Sequence, residues 1–116
     1  MQEALEEAPL LVAQGGPLKG QRWSLKKTLL IGRETTCEVV VQDRMVSRFH
    51  ARIAPTTEGI VLEDLGSKNG THRNGTPING QVVLEDGDIV AYADRGRIWY
   101  DARPNVIPLL ELDAEE

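Results

Sequence analysis

The sequence predicts an all-β domain, an antiparallel β-sandwich of two packed sheets. From Leu10 onward, short runs of apolar and β-branched residues alternate with turn signals at close spacing, as is typical of sandwiches and barrels. The dipeptides Asn74-Gly75, Asn79-Gly80 and Asp86-Gly87 are of the kind that tight hairpin turns prefer, because both central residues need a positive φ. No window of ten or more residues carries a convincing helical stripe. The connections are therefore predicted to be turns and loops.

Ten short segments have strand character, and Gly15-Gly16-Pro17 and Gly20 bracket the first predicted hairpin. In chain order the predicted strands are Leu10 to Ala13, Gln21 to Leu25, Thr28 to Gly32, Val39 to Val41, Ala51 to Ala54, Ile60 to Asp64, Thr71 to Arg73, Gln81 to Val83, Asp88 to Tyr92 and Ile98 to Asp101.

The 116 residues are enough for one domain with a working core, which we place at residues 9–102. Residues 1–8 are interpreted as an acidic tail, which Pro9 ends. Residues 103–116 are interpreted as a C-terminal tail or linker rich in Pro, Leu and acidic residues, in which Pro104 and Pro108 break regularity. The leucines of this segment either pack back on an open sheet edge or lead towards a further domain.

Composition and charge exclude several classes of function. The formal net charge of -5 argues against generic nucleic-acid binding and against adhesion to anionic membranes. Cys37 is the only cysteine, so no intrachain disulfide can form and an oxidising compartment is not implied. The first residues are acidic and the apolar stretch Leu10 to Ala13 is too short for a signal core or a membrane span. We therefore expect a cytoplasmic protein.

Motifs for catalysis, metals and cofactors are incomplete. Ser24 and Lys27 match the spacing Ser-x-x-Lys, but the partner motifs of penicillin-recognising enzymes are missing. Cys37, His50 and His72 lack the spacing of a zinc site. We expect no enzymatic activity, no cofactor and no metal.

The densest turn chemistry lies in Asp64-Leu65-Gly66-Ser67-Lys68-Asn69-Gly70-Thr71. Gly66 and Gly70 can take a positive φ at no steric cost, and Asp, Ser and Asn favour local side-chain turns. The stretch is either an ordinary hairpin connection or a built loop that aims Ser67, Lys68 and Asn69 outward, as binding loops do.

Two further motifs precede this loop, Gly32-Arg33 and Ser47-Arg48-Phe49-His50, each beside a predicted strand. Together with the loop and the following Asn74-Gly75, they resemble the forkhead-associated (FHA) domain family in order and spacing. The resemblance extends over roughly Leu10 to Tyr100. It implies recognition loops at one end of a sandwich, and binding of peptides that contain phosphothreonine.

The residue types at these positions suit a phosphate ligand. A phosphorylated threonine carries nearly two negative charges and three strong acceptor oxygens. Arg33 has a planar guanidinium fork that matches phosphate, Ser47 a short hydroxyl donor, and Lys68 a point charge. Asn69 has both a donor and an acceptor, so it can hold the main chain of an extended peptide. The resemblance assigns the same roles to Arg33, Ser47 and Asn69, and a phosphate contact to Lys68.

Other motif residues have architectural or open roles. The resemblance makes Gly32 and His50 architectural, with the histidine supporting the recognition loops from below, and Gly70 is a structural glycine of the loop. Arg48 either contacts phosphate or peptide, or forms a salt bridge to Asp43 or Asp64. Trp23 and Phe49 are interpreted as packing residues.

The sequence thus predicts a non-catalytic phosphothreonine-peptide binding module that recruits substrates of Ser/Thr kinases, or kinases themselves, in signalling. The alternative is a phosphate-independent protein interaction domain of the same fold. Neither residues 1–20 nor residues 103–116 contain a Ser or Thr, so we expect the phosphorylated segment to belong to another chain or to a region outside these 116 residues. We also expect this domain to be part of a longer multidomain protein.

Overall fold

The computed structural model describes residues 9–14, 18–92 and 106–110, and all its regular structure is β strand. No helix in these ranges has the length and apolar character needed to cross a bilayer. The strands are β1 (Leu10–Ala13), β2 (Arg22–Ser24), β3 (Leu29–Gly32), β4 (Val39–Val40), β5 (Ala51–Thr56), β6 (Gly59–Asp64), β7 (Thr71–Arg73), β8 (Thr76–Pro77), β9 (Gln81–Val83), β10 (Val90–Tyr92) and β11 (Val106–Leu110).

The described strands form two sheets. One sheet has the order β2-β1-β11-β10-β7-β8 and the other β4-β3-β5-β6-β9. Neighbouring strands are mostly antiparallel, while β1–β11, β10–β11 and β3–β4 are parallel pairs. The predicted all-β sandwich of two sheets is confirmed.

Alternating burial along β5 shows how the sequence selects strand structure. Ala51 and Ile53 are fully buried, whereas Arg52 between them is exposed, as expected when successive side chains point to opposite faces. The hairpin to β6 closes with Thr56 opposite Gly59, and the Thr56 hydroxyl donates to the Gly59 carbonyl at 2.8 Å. Gly59 has a φ of +123°, which favours glycine at this turn.

The core lies between the two sheets, because its buried side chains come from both. Leu11 and Val90 belong to the six-stranded sheet, and Ile31, Ile53 and Leu62 to the five-stranded one. These apolar side chains are at most 1% exposed. Their burial provides the main driving force that holds the sheets together.

Most predicted strands agree with the structure to within two residues at each end. Two predictions, the strand Ile98 to Asp101 and the acidic tail at residues 1–8, lie outside the described residues. The two-residue strand β8 was not predicted.

The sequence also predicts no strand at Val106–Leu110, yet β11 pairs with β1 on one side and with β10 on the other. Pro108 explains the miss, because proline removes a ladder donor and argues against an interior strand. In the structure Pro108 lies opposite Val12, and the pairing with β10 involves Leu109 and Leu110. The predicted domain limits themselves stay a prediction.

Candidate functional site

Strand directions gather the predicted motifs at one end of the sandwich. β3 and β6 are both antiparallel to β5, so the ends of β3 and β6 lie beside the start of β5. Two backbone hydrogen bonds at His50 join the three segments, from His50 N–H to the Ile31 carbonyl at 2.8 Å and from Leu65 N–H to the His50 carbonyl at 3.0 Å. We call this end, with its segments 33–50 and 64–71, the recognition end.

Gly32 lets the segment before His50 lie directly against β3. A Cβ at this position would lie 2.1 Å from the Arg48 carbonyl oxygen and 3.1 Å from the Phe49 Cα. Both neighbours are backbone atoms, so no side-chain movement could relieve the clash. Glycine is therefore required by close approach of two backbones, in line with the architectural role expected for it.

His50 is fully buried and joins two loops through its ring. The Ser47 N–H donates to Nδ1 at 3.1 Å, so Nδ1 must be the unprotonated acceptor. Nε2 then carries the proton and donates to the Gly70 carbonyl at 2.9 Å. Burial lowers the pKa of His50, which favours this neutral tautomer. The ring also makes an edge-on contact with Tyr92, with ring centroids 6.3 Å apart.

Asp64 organises the loop between β6 and β7. Its carboxylate accepts hydrogen bonds from the backbone N–H groups of Gly66 and Ser67 at 3.0 and 3.1 Å, and from the hydroxyls of Ser67 and Thr71 at 2.5 and 2.7 Å. Burial alone would raise the pKa of Asp64, but these four hydrogen bonds outweigh it and hold the pKa below its ordinary value.

The sequence did not identify Asp64 as the centre of this loop, although turn-forming Asp was noted there. The available signal was the spacing of Asp64, Ser67 and Thr71, since Asp side chains commonly bond to groups two or three residues ahead.

The prediction that Ser67 points outward was wrong. Its hydroxyl donates to Asp64 and accepts from the Gly70 N–H at 3.0 Å, so it closes the loop from inside. Gly70 itself has a φ of +90°.

Each residue predicted to bind phosphate makes at least one hydrogen bond within the protein and keeps a further donor group without a partner. Arg33 donates from Nε to the Val46 carbonyl at 2.7 Å, and its terminal amino groups have no partner among the described residues. The Ser47 hydroxyl oxygen accepts from the Lys68 N–H at 3.0 Å, so its own proton remains available for donation. The Lys68 ammonium group is exposed and unpaired within the described ranges. Three donors are thus prepared for an acceptor-only ligand.

Asn69 connects the two loops of the site. Its side-chain amide donates to the Met45 carbonyl at 2.8 Å, which leaves the Oδ1 acceptor without a partner in the described part of the chain. An acceptor in this position suits the N–H groups of an extended peptide.

Arg48 pairs with neither of the predicted carboxylates. Asp64 bonds within its own loop, as described above, and Asp43 accepts the Met45 N–H at 2.8 Å. The Arg48 guanidinium is exposed and has no ion-pair partner among the described residues. The alternative that Arg48 forms a salt bridge to Asp43 or Asp64 is therefore not met among the described residues, and its contact with the ligand stays a prediction.

The two aromatic residues interpreted as packing residues differ in the structure. Trp23 is half-buried and packs against the main core, as predicted. Phe49 is 47% exposed, so the prediction that it packs inside was wrong. Arg48 and Phe49 lie in the loop before β5 and are both exposed, and the next side chain, that of His50, is the buried one.

A carboxylate near the site already accepts a hydrogen bond from the backbone. Glu38 accepts the Leu30 N–H at 2.8 Å, which leaves it less available to compete for the basic side chains. Within the described ranges, no three or more His, Cys, Asp or Glu side chains are grouped so that they could hold a metal ion.

A model of the family described as "FHA domain" matches residues 29–92, the span that contains all eight predicted site residues. The chain belongs to the FHA domain family. The matched span includes β3 to β10, so it covers the whole five-stranded sheet and both loops of the recognition end.

Similar curated proteins include larger ones. The oxoglutarate dehydrogenase inhibitor of Corynebacterium jeikeium is 37% identical over 84 residues, which are 72% of this chain and 58% of that protein. The ABC transporter ATP-binding/permease protein Rv1747 of Mycobacterium tuberculosis is 34% identical over 71 residues, 61% of this chain and 8% of that protein. This FHA chain therefore spans less than two thirds of the length of these relatives.

Solved structures share the fold. One comes from a structural and functional analysis of phosphothreonine-dependent FHA domain interactions, with a TM-score of 0.63, 30% identity, and coverage of 74% of this chain and 86% of that one. Another is Mycobacterium tuberculosis EmbR in complex with a low affinity phosphopeptide, with a TM-score of 0.61, 31% identity, and coverage of 75% and 22%.

Proposed function

We propose that this FHA domain is a non-catalytic module that binds peptides containing phosphothreonine, and that it recruits kinase substrates or kinases in signalling. One observation supports this proposal most strongly. Arg33, Ser47 and Lys68 lie at one end of the sandwich, each anchored through one group and each with an unused donor. A phosphate group offers only acceptor oxygens, so the two sets of groups are complementary.

Asn69 complements the phosphate donors. Its Oδ1 is free to accept from the main chain of the bound peptide, while its amide group is held by the Met45 carbonyl. Arg48 adds an exposed positive charge beside Ser47. The exposed cations at this end also raise the rate of encounter with a doubly charged phosphate.

Expected affinity follows from the number of charge-assisted bonds. Each hydrogen bond to a charged group contributes about 1.5 to 3 kcal/mol, so three contribute roughly 4.5 to 9 kcal/mol before association and peptide ordering are subtracted. Micromolar binding corresponds to about 8 kcal/mol. Contacts to the peptide main chain must therefore add to the phosphate contacts.

The test is calorimetry or fluorescence anisotropy with a degenerate phosphothreonine peptide library, with the unphosphorylated and phosphoserine libraries as controls. Arg33→Ala should abolish binding, because it removes the guanidinium fork. Lys26→Ala is the matched control, since it removes one exposed positive charge after β2, at the other end of the molecule, and it should bind normally. Binding that persists without phosphate would contradict the proposal and favour the phosphate-independent interaction domain.

Discrimination between phosphothreonine and phosphoserine gives a finer expectation. Burial of the additional methyl contributes about 0.8 kcal/mol, which is roughly a fourfold preference. A much larger preference would indicate that the methyl also restricts the side-chain rotamer.

We further propose that the phosphorylated partner is a separate chain and that binding takes place in the cytoplasm. Support for the first point is the lack of Ser and Thr in residues 1–20 and 103–116. Treatment of the whole chain with a Ser/Thr kinase should leave phosphopeptide binding unchanged. Intramolecular loss of binding after phosphorylation would contradict this part of the proposal.

A further inference from the structure

We propose that Met45 and Phe49 select among phosphopeptides, by contacting an apolar side chain that lies within two residues of the phosphothreonine. This inference rests on the proposed function, because it names the class of peptide that the same site prefers. It assigns a specificity role to two residues that belong to none of the predicted ligand positions.

The first observation is where the exposed apolar side chains are found. Among the described residues, the large hydrophobic side chains that are exposed are Met45 at 42%, Phe49 at 47% and Val83 at 43%. Single exposed apolar residues are common and need no explanation. Here, however, two of the three lie in one five-residue segment, on either side of Ser47.

The second observation is that the backbone of both residues belongs to the site. The Met45 carbonyl accepts the Asn69 amide at 2.8 Å. The Phe49 Cα lies 3.1 Å from the position that a Cβ of Gly32 would occupy, directly before Arg33. The backbone positions of Met45 and Phe49 are therefore held beside residues proposed to bind the peptide.

Distance along the chain limits which ligand positions they can reach. Met45 and Phe49 are each two residues from Ser47, so their Cα atoms lie within about 7 Å of its Cα at most. An extended peptide advances about 3.4 Å per residue. With the phosphate at Ser47, the side chains reached are those one or two residues before or after the phosphothreonine.

Charged side chains near Met45 and Phe49 provide an alternative basis for peptide selection. Asp43 accepts the Met45 N–H, so its carboxylate lies at the backbone of that residue and disfavours an acidic ligand residue nearby. Arg44 and Arg48 are exposed next to the same segment and would favour an acidic one. Peptide preference therefore separates recognition by apolar contact from recognition by charge.

The experiment uses one phosphothreonine peptide that binds, varied in turn at the two positions before and the two after the phosphothreonine with Leu, Ala or Asp. Affinities are measured by anisotropy for the wild type, Met45→Ala and Phe49→Ala. Val83→Ala is the matched control, because it removes a similarly exposed apolar side chain from the end of β9, away from the site. Substitution of Met45 by Ala keeps the carbonyl that Asn69 uses, so the loop connection is retained.

We expect Leu at one or more of these positions to bind about 4- to 15-fold more tightly than Ala, as for burial of one or two methylene equivalents. This preference should fall below about twofold in Met45→Ala or Phe49→Ala and stay unchanged in Val83→Ala. Affinity for the peptide with Ala throughout should change little in either variant, since the phosphate contacts remain.

Three results would overturn the inference. Phosphate-dependent binding with no preference for Leu, or with a preference for Asp, would leave the proposed function intact and remove the specificity role. A wild type that self-associates in sedimentation, with both variants monomeric and no altered peptide preference, would make these residues a contact between copies. Failure of every phosphopeptide to bind the folded protein would refute the proposed function and this inference together.

Discussion

Asp64 and Asp88 hold together loops at opposite ends of the sandwich, and they do so with the same chemistry. Asp64 lies after β6 at the recognition end, whereas Asp88 lies before β10 at the other. Asp88 accepts the Asn74 side-chain amide at 2.9 Å and the Glu85 N–H at 2.8 Å. The Asn74 carbonyl oxygen Oδ1 in turn accepts the Ile89 N–H at 2.9 Å. Each carboxylate thus accepts hydrogen bonds from at least two groups of the loops around it.

The two networks differ in whether nearby donor groups remain without a hydrogen-bond partner. Around Asp88 the polar groups of the two turns bond to each other, and Arg73 lies 4.0 Å from the Asp88 carboxylate while it donates to the Val83 carbonyl at 3.2 Å. Around Asp64 the bonds are made inside the loop, while Arg33 and Lys68 keep unused donors at the surface. The Asp88 network closes a turn, whereas the Asp64 network fixes a loop beside donors that remain available. A loop that is already ordered loses less entropy when a ligand binds.

The largest expected effect comes from Gly32→Ala at the recognition end. The added Cβ would meet backbone atoms at 2.1 and 2.8 Å, so the free energy of unfolding should fall by about 3 kcal/mol or more, at the upper end of overpacking costs. Gly59→Ala at the other end is the comparison. There the neighbour is the Val83 side chain at 3.3 Å and the φ is +123°, so we expect a smaller loss of about 1–2 kcal/mol from backbone strain.

Denaturant unfolding of both variants measures these losses. Equal destabilisation at the two glycines would show that the close approach of Gly32 to the segment before His50 does not constrain the recognition end.

The paired substitutions Asp64→Asn and Asp88→Asn test the comparison directly. In each case an amide NH₂ replaces one acceptor oxygen and faces groups that donate to that oxygen in the wild type, so both proteins should lose about 1–3 kcal/mol of stability. Phosphopeptide affinity should fall about tenfold in Asp64→Asn only, because a loop that is not held in place must be ordered on binding.

Both proteins are measured well below their unfolding midpoints, so that the binding difference reflects the folded state. Normal phosphopeptide affinity in a folded Asp64→Asn protein would contradict the idea that this network prepares the site.

A pH titration tests His50. Its pKa is lowered by burial, so the unfolded chain binds a proton more readily than the folded one. Stability should therefore be constant above the ordinary value of 6.5 and decline as the pH falls from there towards the lowered pKa, at up to about 1.4 kcal/mol per pH unit.

His50→Gln provides the control for this titration, since glutamine does not ionise. Unfolding free energies between pH 5 and 8 should show the decline in the wild type and not in the variant. A decline of equal slope in both would assign it to another group.

The smallest effect is expected at the cross-strand ion pair of Arg52 and Glu63, which lies one residue pair in from the recognition end on β5 and β6. The Arg52 side chain is 46% exposed, so solvent screens the pair. Arg52→Gln should cost less than about 1 kcal/mol, and phosphopeptide binding should stay the same. A larger loss would show that the exposed face of the five-stranded sheet contributes more to stability than burial suggests.

Much of the fold could be predicted because its signals are local. Alternation along β5 and the Asn74-Gly75 turn each depend on a few adjacent residues, and this turn joins the antiparallel pair β7–β8. Asn79-Gly80 and Asp86-Gly87 also form turns, but they connect strands of different sheets, so the prediction of hairpins there was wrong. β11 could not be predicted in the same way. Its pairing joins residues near the two ends of the sequence, and the local signal at Pro108 points away from a strand.

For the site, the sequence identified which residue types could bind phosphate, since Arg, Ser and Lys donors are recognisable by chemistry. It could not show how each one is held. Bonds such as that from Asn69 to the Met45 carbonyl connect residues far apart in the chain, and no local pattern encodes them. The inward turn of Ser67, in contrast, rests on hydrogen bonds to Asp64 and Gly70, each three residues away, so the signal for it was local.

The position of β11 has a consequence for how the chain folds. β1, at residues 10–13, has β2 on one side and β11, at residues 106–110, on the other. Half of its pairing thus waits until β11 has been synthesised, whereas β3 to β9 pair only with strands that lie within residues 29–92. Contacts between such distant segments slow folding, because a long loop must close before they form. During synthesis, the recognition end can therefore assemble before the six-stranded sheet is complete, and β11 then connects β1 to β10.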